Sequence, residues 1–128
     1  ASLSHVQTPP PIGQAIAAAG ADKAPRVTQA DIEGAIASEH YFTAADGCYG
    51  ATADRIRPAD IPMPLRLLTF CVLVLRNGFT VTGESACVSP ENFDAAIGRR
   101  IARENAVDKL WPLLGYALRE KLYEESQG

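Results

Sequence analysis

The sequence predicts an α+β domain: a short N-terminal helix, an antiparallel sheet built on a β-hairpin at about residues 65–88, and a long C-terminal helix. Three observations carry the prediction. Leu67 to Leu75 is an apolar run interrupted only by Thr69, too short for a membrane span and of the right length for a buried strand. Asn77-Gly78 follows at once, the dipeptide most typical of a tight hairpin turn, and leads into the alternating stretch Phe79 to Val88. Ser89-Pro90-Glu91 then reads as a helix start, with helical periodicity running to the end of the chain.

With 128 residues, one domain is expected. It spans residues 27–128, behind a flexible tail over residues 1–26. The tail contains Thr8-Pro9-Pro10-Pro11, where consecutive prolines remove N–H donors and fix φ. The following stretch, Gln14 to Ala24, is rich in Ala and Gly and has little to bury. No basic segment followed by an apolar core opens the chain, so no secretory signal is expected. Thr28-Gln29-Ala30-Asp31 resembles a capping box, and Ile32, Ala35 and Ile36 share a face, predicting a helix over Gln29 to Ser38. His40 to Thr43 is aromatic and β-prone, a short strand, and Asp46-Gly47 signals a turn. Gly50 to Pro64, with three prolines, reads as a loop carrying Arg55 and Arg57.

In the main strand Leu67, Thr69, Cys71, Leu73 and Leu75 point one way, and Leu68, Phe70, Val72 and Val74 the other. Both sides are apolar, and a chain this small has little material to cover both. Oligomerisation over the second face is the expectation. In the return strand Phe79, Val81 and Gly83 share a face, and Gly83 marks a bulge or a close backbone approach. The C-terminal helix is expected to use Phe93, Ile97 and Ile101 as its core stripe and to kink or break near Pro112. Trp111, Leu114, Leu118 and Leu122 then form the apolar face of the second part.

Charge and composition narrow the function. Twelve basic and fifteen acidic residues leave a net charge of −3, which argues against general nucleic-acid binding. Three cysteines without close spacing predict neither a zinc site nor a disulfide framework; Cys71 and Cys87 read as buried thiols of a reducing compartment. No Ser/His/Asp set, metal-binding motif or Gly-rich phosphate loop is legible, so no catalytic residue, metal or cofactor is expected. Anion binding is the better candidate. Arg100 has Glu104 four residues on, whereas Arg99 and Arg103 have no carboxylate at helical spacing and suit an oxyanion. Phe79, just past the turn, is a candidate platform for a base.

Thr69 to Tyr123 resembles a family of small tailed-phage proteins, the phage gp-forty-nine/sixty-six family. The resemblance rests on Asn77-Gly78-Phe79, Gly83-Glu84-Ser85-Ala86-Cys87, Pro90-Glu91-Asn92-Phe93-Asp94, Gly98, Ala102 and Asp108-Lys109-Leu110-Trp111, and extends to Arg26–Gly47. The strand–hairpin–helix plan is also similar to the first class of Thoeris anti-defence proteins. These sequester cyclic ADP-ribose isomers, and in some cases cyclic oligonucleotides, without degrading them. That likeness implies a homo-oligomer, dimer or hexamer, acting in the host bacterial cytoplasm as a sponge for a small anionic nucleotide. Phe79, Asn92, Arg99 and Arg103 are its expected ligand-binding residues, with Asn92 hydrogen-bonding ribose or base. The alternative is a host-takeover or regulatory protein that binds a host protein.

Overall fold

A computed structural model describes residues 11–21, 23–52 and 54–128; the first ten residues of the expected tail, with His5 and the first prolines, lie outside it. The chain runs α1 (Ile12–Ala18), α2 (Gln29–Ala35), β1 (Ile36–Thr43), α3 (Ala44–Thr52), β2 (Leu68–Leu75), β3 (Thr80–Ala86) and α4 (Ala95–Gln127). The strands form an antiparallel sheet of order β1-β2-β3, and α4 packs across one face of β2 and β3. This is the α+β class with the expected long C-terminal helix.

Local chemistry places the elements. Thr28 and Asp31 form the expected capping box: the Asp31 N–H donates to Thr28 Oγ1 at 3.1 Å and the Thr28 N–H to Asp31 Oδ2 at 2.8 Å. The expected helix to Ser38 stops at Ala35, because Ile36 pairs with Leu75 and opens β1. That strand is longer than its aromatic centre suggested and carries an irregularity between Ile36 and Ser38. Asp46-Gly47 is not a turn. Thr43 and Asp46 make a second reciprocal cap, at 3.1 and 3.0 Å, and start α3. The proline-rich loop folds into two 3₁₀ turns, Pro58–Asp60 and Met63–Leu67, the first held by a bidentate Arg57–Asp60 pair at 3.0 and 3.1 Å.

The hairpin turn differs in type from the expected two-residue form. Leu75 N–H donates to Phe79 O at 2.8 Å and Gly78 N–H to Leu75 O at 2.9 Å, enclosing the three residues Arg76, Asn77 and Gly78. Only Gly78 is left-handed, at φ 90°, so this is a turn followed by one αL glycine.

The core lies between the sheet and α4. Cys71, Leu73, Leu75 and Val81 face Ala102, Ala106, Val107 and Leu110, with Ile32 of α2 closing one end. The first face of the main strand is therefore buried, as its alternation implied. The stripe that α4 buries is not Phe93, Ile97 and Ile101. It is Gly98, Ala102, Ala106 and Leu110, while Ile97 and Ile101 are 57% and 42% exposed. Gly83 explains this. A Cβ there would overlap Ala102 O and Ala106 N, so helix and strand meet backbone to backbone, which only small residues allow. Close approach won over side-chain hydrophobicity.

Two further expectations are corrected in α4. The helix starts at Ala95 behind Asp94, whose Oδ1 accepts from the Ile97 N–H at 3.1 Å; Ser89-Pro90-Glu91 starts only a 3₁₀ turn. At the other end the helix does not break. It runs through Pro112 to Gln127, the proline sitting on an exposed side. Trp111, Leu114, Leu118 and Leu122 are half-buried, consistent with the apolar face expected of them.

Candidate functional site

The four expected ligand-binding residues fall in different places. Phe79, 54% exposed, stands at the hairpin end of the sheet. Asn92 and Arg99 lie at the opposite end, where β2 begins. The eight residues of β2 separate the two ends by roughly 25 Å.

Arg103 is committed elsewhere. Its Nε donates to both carboxylate oxygens of Glu39, at 3.0 and 3.1 Å, and its Nη2 to Glu33 at 2.8 Å. The Tyr41 hydroxyl donates to Glu39 at 2.7 Å. The guanidinium beside Glu39 holds that carboxyl below its usual range. Burial, followed by the Glu39 hydrogen bond, raises the Tyr41 phenol. Arg103 thus ties α4 to α2 and β1. The carboxylates came from elements distant in sequence, so helical spacing left them out of sight. Arg100, by contrast, meets Glu104 at 3.3 Å, as spacing required.

Of the neighbouring Arg99, Arg100 and Arg103, Arg99 makes no ion pair among the described residues. It borders a recess of about 100 Å³ together with Tyr41, Phe42, Thr43, Asp46, Thr69, Phe93 and Ala95. Strand register assembles this mouth. Phe42 sits opposite Phe70, and Thr43 opposite Thr69. Phe42 and Phe70 stack with centroids 5.7 Å apart, yet Phe42 stays 40% exposed. Ala95 is the first residue of α4, whose opening N–H groups have no partner inside the helix. Thr69, 3% exposed, places its hydroxyl near the same end of α4, where Gly98 leaves room for it.

Phe93 separates this recess from a second one of about 130 Å³, lined by Asn92, Cys87, Ser85, Leu67 and Ile101 among others. Asn92 and Arg99 are therefore brought to either side of one half-buried aromatic ring. The Cys87 thiol donates to Ser89 O at 3.1 Å, and burial raises the Cys71 thiol, leaving it protonated. Reading the residues alone missed Phe42, Thr69 and Asp46. What brings them together is the β1–β2 register, which no hairpin fixes in the sequence because α3 and two 3₁₀ turns lie between the strands.

Chemically the Arg99 recess offers one cation, one carboxylate, a hydroxyl, helix-opening amides and aromatic faces. Among the described residues no three His, Cys, Asp or Glu side chains are placed to hold a metal ion.

Residues 27–122 match the Phage protein (N4 Gp49/phage Sf6 gene 66) family. This chain belongs to that family. The match starts one residue before the Thr28 cap and ends within α4, so it covers the whole sheet and both recesses. Nothing among curated proteins or solved structures matches the chain. It is thus a phage protein, and among its described residues no helix is long and apolar enough to cross a membrane.

Proposed function

We propose that this phage protein sequesters a cyclic nucleotide signal of bacterial immunity, a cyclic ADP-ribose isomer or a cyclic oligonucleotide, in the host cytoplasm and without degrading it. The observation that supports this reading is the uncommitted Arg99 set among aromatic rings at the opening of α4. A phosphate takes the guanidinium and the Ala95 and Ala96 amides, the Ile97 amide being held by Asp94. The exposed faces of Phe42 and Phe93 suit a nucleobase, at about 1–3 kcal/mol per stacked base. Asp46 accepts from ribose hydroxyls or an exocyclic amine, a role no free phosphate would need. Asn92, across the Phe93 ring, serves ribose or base.

The proposed binding set thus becomes Arg99 and Asn92, with Phe42, Phe93, Asp46 and Thr69 added. Arg103 supports it from the ion-paired side, and Phe79 lies outside it. At about 100 Å³ the recess has room for a phosphate group and not for a whole nucleotide, so the remainder of the proposed ligand would lie over the surface or against another copy.

The test is a thermal-shift panel of cyclic ADP-ribose isomers and cyclic di- and trinucleotides, followed by heat release and identification of the bound species. The expected result is a shift with one class, intact nucleotide recovered, and loss of the shift in Arg99→Ala. Absence of any shift across the panel would refute the reading. The second reading, a partner protein of the host, draws on the outer sheet face, where Val72, Val74 and Phe70 are only half-buried. Recovery of one dominant host protein by the purified chain would favour it.

A further inference from the structure

We infer that α4 pairs antiparallel with α4 of a second copy, about a two-fold axis passing between Leu113 and Leu114. This inference does not rest on the nucleotide reading, since no ligand enters it.

The argument starts from length. The helix has 33 residues, about 50 Å, whereas the eight residues of β2 span about 26 Å. Its fully buried residues end at Leu110, and Leu113 and Leu114 are the last of its side chains packed against the core, so the segment after them runs past it. On the sheet-bearing half, Ile97 and Ile101 are left exposed. On the projecting half, Tyr116 and Tyr123 are exposed at 70% and 52%. At 3.6 residues per turn Ile101, Asn105, Asp108, Pro112, Tyr116, Arg119 and Tyr123 follow one another at steps of three or four and form one face. All are exposed.

The charges on that face identify the occupant. Asp108 and Arg119 make no ion pair among the described residues, and neither has an opposite charge three or four positions away. They are equidistant from a point between Leu113 and Leu114. An isologous contact puts residue i against j and j against i. About that point, therefore, Asp108 of each copy meets Arg119 of the other. The same operation brings Pro112 within one residue of Tyr116 along the pair, and Tyr123 within one residue of Asn105. The Asn105 amide N–H already donates to Glu84 O at 2.8 Å, which leaves its carbonyl to accept the Tyr123 hydroxyl of the second copy. The projecting half of each helix covers Ile101 of the other. The outer sheet face is the rival surface, but Phe42 already stacks on Phe70 within the chain, and the face carries no such matched pair of charges.

The experiment is sedimentation analysis of the full chain and of two surface variants, Asp108→Arg and Arg119→Asp, with circular dichroism confirming that both fold. The wild type is expected to be a dimer or a larger assembly built from such dimers. Each variant sets like charges together twice, and dimerisation should weaken about tenfold or more. Mixing the two variants restores pairing, because one then carries arginine at both positions and the other aspartate at both. A monomeric wild type overturns the inference. So does a wild-type assembly that either variant forms as readily, or a mixture that pairs no better than the variants alone.

Discussion

The two sides of α4 that flank each other at its N-terminal half are nearly opposite in what they bury. One side presents Gly98, Ala102 and Ala106, the smallest residues available, and is fully buried against the sheet. The neighbouring side presents Ile97 and Ile101, among the most apolar, and stands in solvent. Hydrophobicity ranks these two sides in the wrong order. What decides is distance: with no side chain on Gly83, the strand backbone contacts the helix backbone, and any larger residue on either partner would hold them apart. The side left outside is the surface that the proposed helix pairing would cover in part.

That comparison is easiest to break at Gly83. Gly83→Val puts three carbons where Ala102 O and Ala106 N already sit, and neither is a flexible side-chain end. The expected cost is about 4 kcal/mol or outright failure to fold, read by chemical denaturation. A Gly83→Val protein as stable as wild type would show that helix and strand are not in backbone contact. Next comes Leu110→Ala at the end of the same stripe. Leu110 is 0% exposed, so its truncation leaves a cavity and should cost about 2–5 kcal/mol in the same measurement.

These positions also mark how far the sequence could be read. The hairpin, the two-sided main strand and the Thr28 cap were legible because each depends on residues adjacent in the chain, whereas at Gly83 the sequence left a bulge and a close approach open, and contact with Ala102 and Ala106 decides between them. The stripe of α4 was not. Its small residues carry no hydrophobic signal, and their meaning appears only when Gly83 is seen beneath them. The same holds for the site. Arg99 was found because it lacks a local carboxylate, and Arg103 was grouped with it for that reason. Glu39 and Glu33, sixty-four and seventy positions away, separate the two. Asn77-Gly78 predicted a hairpin correctly but its turn type wrongly, since Arg76 joins the loop and only Gly78 takes positive φ.

Arg103 gives the middle-sized prediction and sharpens the contrast with Arg99. Removing its side chain leaves Glu39 and Glu33 facing each other without a cation at a partly buried junction. Arg103→Ala should cost about 1–3 kcal/mol, while Arg99→Ala should stay within about 0.5 kcal/mol. The pH dependence identifies the cause. Glu39 has its pKa lowered in the folded state by Arg103, so the unfolded chain binds its proton more readily. The contribution is present in full above the ordinary carboxylate range and is lost as pH falls through the lowered folded value. In Arg103→Ala that acid limb of stability should flatten. Equal acid limbs in the two proteins would remove Glu39 from the account.

The smallest expected effect is the most pointed, because it compares adjacent residues. Gly98 and Ile97 share a peptide bond, yet a Cβ on Gly98 already comes within 3.0 Å of Thr69 Oγ1, whereas Ile97 is 57% exposed. Gly98→Leu should therefore destabilise by about 1–3 kcal/mol through overpacking. Ile97→Ala truncates a side chain that is already more than half exposed; with no cavity formed, the change should be within about 0.5 kcal/mol. Nor should dimerisation move it. The two-fold between Leu113 and Leu114 carries Ile97 past the last residue of the opposing helix, while Ile101 lies opposite its end. Ile101→Ala should accordingly weaken self-association and Ile97→Ala should not. If both weaken it equally, the register of the helix pair is wrong even where the pairing is right. If Ile97→Ala alone unfolds the protein, the large residues face the core and the division of α4 into a small buried side and a large open side fails.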